Sequence, residues 1–148
     1  MSPALMAAEM LEQPDVLARF AARFDDHADR VRAILPQPLG GVVFLARGSS
    51  DNAAVYGRYL AELVSGRPAG LAAPSLLTLY DAPVDYDGRL VVALSQSGAT
   101  PEIVTVCERL RSAGARTVAI VNDAASPLAT VAEVPIAIDA GALSLIHI

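Results

Sequence analysis

The sequence predicts a three-layer α/β fold, with helices on both faces of a five-stranded parallel sheet in the flavodoxin-like order 2-1-3-4-5. Three observations carry that expectation. Short runs such as Val42-Val43-Phe44-Leu45-Ala46 and Leu90-Val91-Val92-Ala93-Leu94 are apolar throughout, as strands covered on both faces must be. Each run is followed by a polar turn and then by a stretch with helical spacing, the alternation that makes parallel βαβ units. Apolar residues make up 53% of the chain and aromatics only 5%, so small and branched side chains must fill the layers.

Residues 1–40 read as a helical lead-in. Leu5, Met6, Glu9 and Met10 give a short amphipathic helix ended at Gln13-Pro14, and Pro14 suits the first turn of a second helix. In that second helix Val16, Leu17, Phe20, Phe24, Val31, Ile34 and Leu35 form the apolar stripe, opposite Arg19, Arg23, Asp26 and Arg30. His27 is placed on the polar, solvated side. Pro36-Gln37-Pro38-Leu39-Gly40-Gly41 stops the helix.

From residue 41 to 141 the βα alternation holds. The first strand leads through Arg47-Gly48-Ser49-Ser50-Asp51 into a helix from Asn52 to Ser65, closed by Gly66. A weak strand at 69–73 and a short helix at 74–80 precede the strong strand at 89–94. Ser95-Gln96-Ser97-Gly98-Ala99-Thr100 then leads to Pro101, which opens a helix ending before Gly114. A strand at 117–121, a short helix at 126–131 and a strand at 134–138 complete the domain. Cys107, in mid-helix, is read as core.

The bulk numbers exclude several functions. The 148 residues carry a net charge of −5, and every positive side chain is an Arg, scattered from Arg19 to Arg116. A nucleic-acid surface needs clustered positive charge, so no nucleic-acid partner is expected. One cysteine allows no internal disulfide and has no metal-ligand neighbour in sequence; neither metal nor cofactor is expected. No apolar run reaches the roughly 18 residues of a membrane span, and the N-terminus lacks a secretory pattern, so no membrane partner and a cytoplasmic location are expected.

In the order 2-1-3-4-5 the first and third strands are neighbours whose following helices go to opposite faces. The crevice outside their carboxyl ends is where ligands bind in such sheets. Gly48, Ser49 and Ser50 fall at one side of it, and Ser95, Gln96, Ser97, Gly98 and Thr100 at the other. Gly98 lets backbone approach a ligand, and Thr100 is placed to cap the helix that Pro101 begins. Hydroxyls, an amide and the amides of a helix start can hold an anion without a cationic side chain. The Gly-Lys-Ser/Thr element of a Walker loop is absent. The same residue types also build ordinary strand-to-helix turns, and spacing does not separate the two readings.

Ser95-Gln96-Ser97-Gly98-Ala99-Thr100 resembles the Ser-Gln-Ser-Gly-x-Thr signature of SIS (sugar isomerase) domains, as found in the isomerase half of glucosamine-6-phosphate synthase and in stand-alone amino-sugar phosphate isomerases and deaminases. The resemblance extends through 46–53, 73–75, Gly114-Ala115 and 120–128, and Glu9-Met10-Leu11-Glu12-Gln13-Pro14 is similar to that family's lead-in helix. It implies phosphosugar binding by Ser95, Gln96, Ser97 and Thr100, with Ser50 towards the sugar hydroxyls. Arg47 departs from synthases with a small residue there and is given no role.

The resemblance also implies an aldose–ketose shift with amino transfer or loss, using a carboxylate, a histidine and often a lysine, none of which can be placed within 1–141. The expectation is therefore an inactive first SIS domain of a pair, from a parent that is a homodimer. Residues 142–148, with Leu143-Ser144-Leu145-Ile146-His147-Ile148, are read as a non-native tail. A fragment of the glutamine-dependent aminotransferase is one alternative. A non-catalytic phosphosugar sensor is another, disfavoured because 1–35 is not basic.

Overall fold

The computed structural model describes residues 3–141, with side chains from residue 7 onward; the tail expected at 142–148 lies outside the described residues. The element order is α1 (Pro3–Ala21), α2 (Phe24–Ile34), β1 (Gly41–Leu45), α3 (Ser50–Ser65), β2 (Ala69–Leu71), α4 (Pro74–Thr78), β3 (Arg89–Ser95), α5 (Pro101–Ser112), β4 (Arg116–Val121), α6 (Pro127–Val131) and β5 (Val134–Ala137). All four strand pairings are parallel and the sheet order is β2-β1-β3-β4-β5, as expected.

Each face of the sheet carries its own core. On one, Leu45, Val91, Ala93, Ala119 and Val121 meet Leu77 of α4, Ile103, Val106, Cys107 and Leu110 of α5, and Leu128 of α6. On the other, Val42, Phe44, Leu90, Val118 and Ile136 meet Ala54 of α3, with Phe20, Val31 and Ile34 of the lead-in helices packed against them. Burial of both strand faces explains the unbroken apolar runs. Pro135 sits in β5, an edge strand, where a missing N–H costs no ladder bond on the open side. At the start of β4, Glu133 accepts from Arg116 Nε (2.9 Å) and the Thr117 N–H (2.9 Å). Burial pushes the Glu133 carboxyl up, but these hydrogen bonds outweigh it and hold the group below the ordinary glutamate range.

Two expectations for the lead-in fail. The helix does not end at Gln13: α1 runs through Pro14, and the break falls at Ala22-Arg23. A proline inside a helix costs about 3 kcal/mol, which the helix-forming residues around it and the docking of Val16 offset. At the break Arg23 has φ −102° and ψ 8°, and its guanidinium donates to Asp139 Oδ2 (2.7 Å) and to the carbonyl of Ala137, the last residue of β5 (2.9 Å). His27 is not solvated either. It is 8% exposed, its ring centroid lies 5.3 Å from that of Phe20, and neither ring nitrogen has a hydrogen-bond partner among the described residues. Its position explains this: seven residues after Phe20 and four before Val31 is the spacing of the buried stripe.

Candidate functional site

The carboxyl ends of β1 and β3 stand side by side, with Leu45 paired to Ala93. Beyond that pair β1 ends, while β3 runs two residues further, to Ser95. The helices that follow, α3 and α5, pack on opposite faces of the sheet. The loops 46–50 and 95–100 therefore border one crevice, the arrangement expected from the strand order. They also touch: Arg47 Nε donates to Glu102 Oε2 at 2.9 Å, joining the first loop to the first turn of α5.

The loop after β3 is built from the inside. Ser95 is buried, and its Oγ accepts from the Gly98 N–H at 3.1 Å. Gly98 is buried with φ +60°, and a Cβ there would lie 2.5 Å from Ser126 Cβ and 3.2 Å from Val121 Cγ1. The Gly98 carbonyl accepts from Leu128 N at 2.9 Å and the Gln96 carbonyl from Asn122 N at 3.2 Å, so β4 and α6 hold the loop from beneath. Gln96 and Ser97 are exposed and Thr100 is half-buried; the Ser97 Oγ accepts from Ala99 N at 3.2 Å and keeps its own proton to donate.

Thr100 occupies the N-cap position of α5, but its hydroxyl makes no capping bond, contrary to expectation. Its φ of −66° and ψ of 112° let the backbone enter the helix, while the Thr100 carbonyl accepts the first helical bond, from Val104 N. The amides of Glu102 and Ile103 have no intrahelical acceptor, being first-turn donors, and Pro101 has no N–H at all. The positive end of the α5 dipole therefore opens on Ser97 and Thr100.

The loop after β1 is looser. Gly48 (φ +64°) and Ser49 are exposed, and Ser50 is half-buried at the first position of α3. Gly48 and Ser49 carbonyls accept from Asp51 N and Asn52 N, and Ser49 makes no side-chain cap bond. The structure thus places all eight predicted site residues on the two loops.

Asn122 and Ser126, which support the second loop, carried no role in the sequence reading. The only sign of them was the 120–128 segment, which resembles the family without naming a function for it. The Ser126 hydroxyl is buried under Gly98 with no hydrogen-bond partner among the described residues. Cys107 is fully buried in the core, and burial pushes its thiol up to about 11, so it is no nucleophile. Among the described residues no cluster of His, Cys, Asp and Glu is arranged to hold a metal, and no helix is long and apolar enough to cross a membrane.

Comparison with known proteins gives this geometry a context. The SIS domain family model matches residues 40–146. The glutamine–fructose-6-phosphate aminotransferase (isomerizing) of Aeropyrum pernix is 31% identical over 140 residues, which are 94% of this chain and 22% of that protein. The chain therefore spans about a fifth of the length of that relative. A crystal structure from Silicibacter pomeroyi DSS-3, classed as a phosphosugar isomerase, superposes with a TM-score of 0.86 at 40% identity, over 93% of this chain and 42% of that one. The C-terminal domain of glucosamine-fructose-6-phosphate aminotransferase from Francisella tularensis shares the fold, with a TM-score of 0.79 at 24% identity over 95% of this chain and 41% of that one.

Proposed function

The chain belongs to the SIS domain family, and from that premise we propose that it binds a phosphorylated sugar in the crevice between the β1 and β3 loops. The observation that supports the reading is the loop 95–100, a turn closed by the Gly98 N–H on Ser95 Oγ that leads directly into α5, with Thr100 at the N-cap position and its hydroxyl making no cap bond. The phosphate lies there, with Gln96 and the backbone beside Gly98 completing the cradle. Ser49 and Ser50 face the sugar hydroxyls, and Gly48 lets that loop approach. Backbone dipoles and hydroxyls supply the attraction, so a chain of net charge −5 can bind an anion locally.

The protein that contains this domain performs an aldose–ketose isomerisation of an amino-sugar phosphate, with transfer or loss of the amino group. The domain contributes binding and orientation. Ser, Gln and Thr are not basic near neutral pH, and Glu102 is tied to Arg47, so the base that moves the C1–C2 proton lies elsewhere in the whole protein. The setting is cytoplasmic, the containing protein is a homodimer, and nucleic acid is not a partner because the eleven arginines form no basic segment in the sequence.

Calorimetry with fructose 6-phosphate and with fructose tests the site. The phosphate ester binds and the free sugar binds far more weakly. Ser97→Ala or Thr100→Val loses about 1–3 kcal/mol of affinity through a hydrogen bond to a charged group. Equal affinity for the two sugars would sink the assignment of the loop.

A further inference from the structure

The proposed phosphate cradle shares its helix end with a carboxylate. Glu102 is the second residue of α5, two positions after the Thr100 N-cap and one before Ile103, which is buried in the core. For the helix alone an acidic side chain there is favourable, because it meets the positive end of the dipole. For an anionic ligand it is unfavourable, because a phosphate dianion seeks the same amides and the same dipole end. Neighbouring positions on a helical surface lie roughly 5–6 Å apart. Over that distance an uncompensated carboxylate costs a dianion about tenfold in affinity, even in water.

The charge that meets Glu102 comes from the other bank of the crevice. Arg47 follows Ala46, which is buried just beyond β1, and its Nε donates to Glu102 Oε2 at 2.9 Å. Residues 46–50 and 95–102 together carry one cation and one carboxylate, and those two are the pair. Both side chains are partly open to solvent, 57% on Arg47 and 33% on Glu102, so the bridge contributes little to folding.

A bridge that adds little stability, yet spans the crevice beside an anion site, has its consequence in the ligand. We infer that Arg47 is a positioning residue for the phosphate. It cancels the charge of the Glu102 carboxylate and holds it towards the β1 loop, which leaves the α5 dipole to the anion. This rests on the phosphosugar reading and adds to it a counter-charge that acts through Glu102 without touching the ligand.

Calorimetry with fructose 6-phosphate on the whole chain tests it, with circular dichroism confirming that each variant is folded. Arg47→Gln is expected to weaken binding by about five- to tenfold, because the bare carboxylate then opposes the phosphate. Glu102→Gln leaves binding as tight as in the parent or tighter. The double exchange Arg47→Gln with Glu102→Gln recovers affinity to within about twofold of the parent. Raising sodium chloride from about 0.02 to 0.5 M shrinks the Arg47→Gln loss to about twofold or less, since the Debye length falls from roughly 20 Å to about 4 Å.

Equal losses from Arg47→Gln and Glu102→Gln would make the pair a brace for the loops and overturn the inference. A double variant as weak as Arg47→Gln alone overturns it too, by showing that the guanidinium acts on the phosphate directly. A parent that prefers fructose 6-phosphate to fructose, with Arg47→Gln unchanged, defeats this inference and spares the phosphosugar reading. A parent without that preference defeats both.

Discussion

The two loops of the crevice have similar compositions and opposite construction. Both are short, both join a central strand to a helix, and both contain a glycine in the left-handed region, Gly48 at φ +64° and Gly98 at φ +60°. A Cβ on Gly48 would meet nothing within 4 Å; a Cβ on Gly98 would collide with Ser126. The 95–100 loop is bonded to β4 and α6 from below, while the 46–50 loop is held mainly by its own turn and by the Arg47–Glu102 pair across the crevice. Under the proposed function the difference divides the labour: the loop bonded from below would hold phosphate at low entropic cost, and the less bonded one would adapt to the sugar.

The glycines give the strongest way to break that contrast. Gly98→Ala combines a left-handed alanine with overpacking against Ser126, and it is expected to destabilise the fold by about 2–5 kcal/mol in urea unfolding. Gly48→Ala meets only the backbone penalty, about 1 kcal/mol. Equal losses at the two positions would mean that the loops are not built differently.

A smaller effect is expected at Ser95. Its hydroxyl is the internal acceptor for the Gly98 N–H, so Ser95→Ala leaves a buried donor unpaired, at about 1–3 kcal/mol. Ser49→Ala, on an exposed residue without a cap bond, should fall within about 0.5 kcal/mol of the parent. The same chemical change therefore separates a loop built from inside from one that is not.

The smallest effect sharpens the comparison. Arg47→Ala removes an ion pair that is more than half exposed on the arginine side, so it should cost stability less than about 1 kcal/mol. Limited proteolysis should nonetheless cut between residues 46 and 50 faster than in the parent, with 95–100 unchanged. If both loops become sensitive, the pair supports the whole crevice and not one bank of it.

Much of this was legible in the sequence, for reasons that can be named. Val42–Leu45 and Leu90–Leu94 show strands covered on both faces, and the gap of one helix between strands sets a parallel sheet. The strand order then brings 46–50 and 95–100 together, since neighbouring βα units diverge to opposite faces. What escaped depends on distant contacts. Nothing local marks a break at Ala22-Arg23, and the acceptors of the Arg23 side chain there, Asp139 and the Ala137 carbonyl, lie more than a hundred positions away. Pro14 reads locally as a stop because the tertiary support that carries a helix through it is invisible in the local pattern. His27 is different: its spacing from Phe20 and Val31 already encodes its burial, although its neighbours Asp26 and Arg30 suggest the polar side. Ser126 went unassigned because its place under Gly98 needs the third dimension.

The clasp of Arg23 on Asp139 joins the turn between α1 and α2 to the segment that follows β5, two positions 116 residues apart in the chain. A contact so distant in sequence couples the opening of the two segments, so amide protons of α2 and of β5 should exchange with a common free energy, and Arg23→Ala should lower it for both.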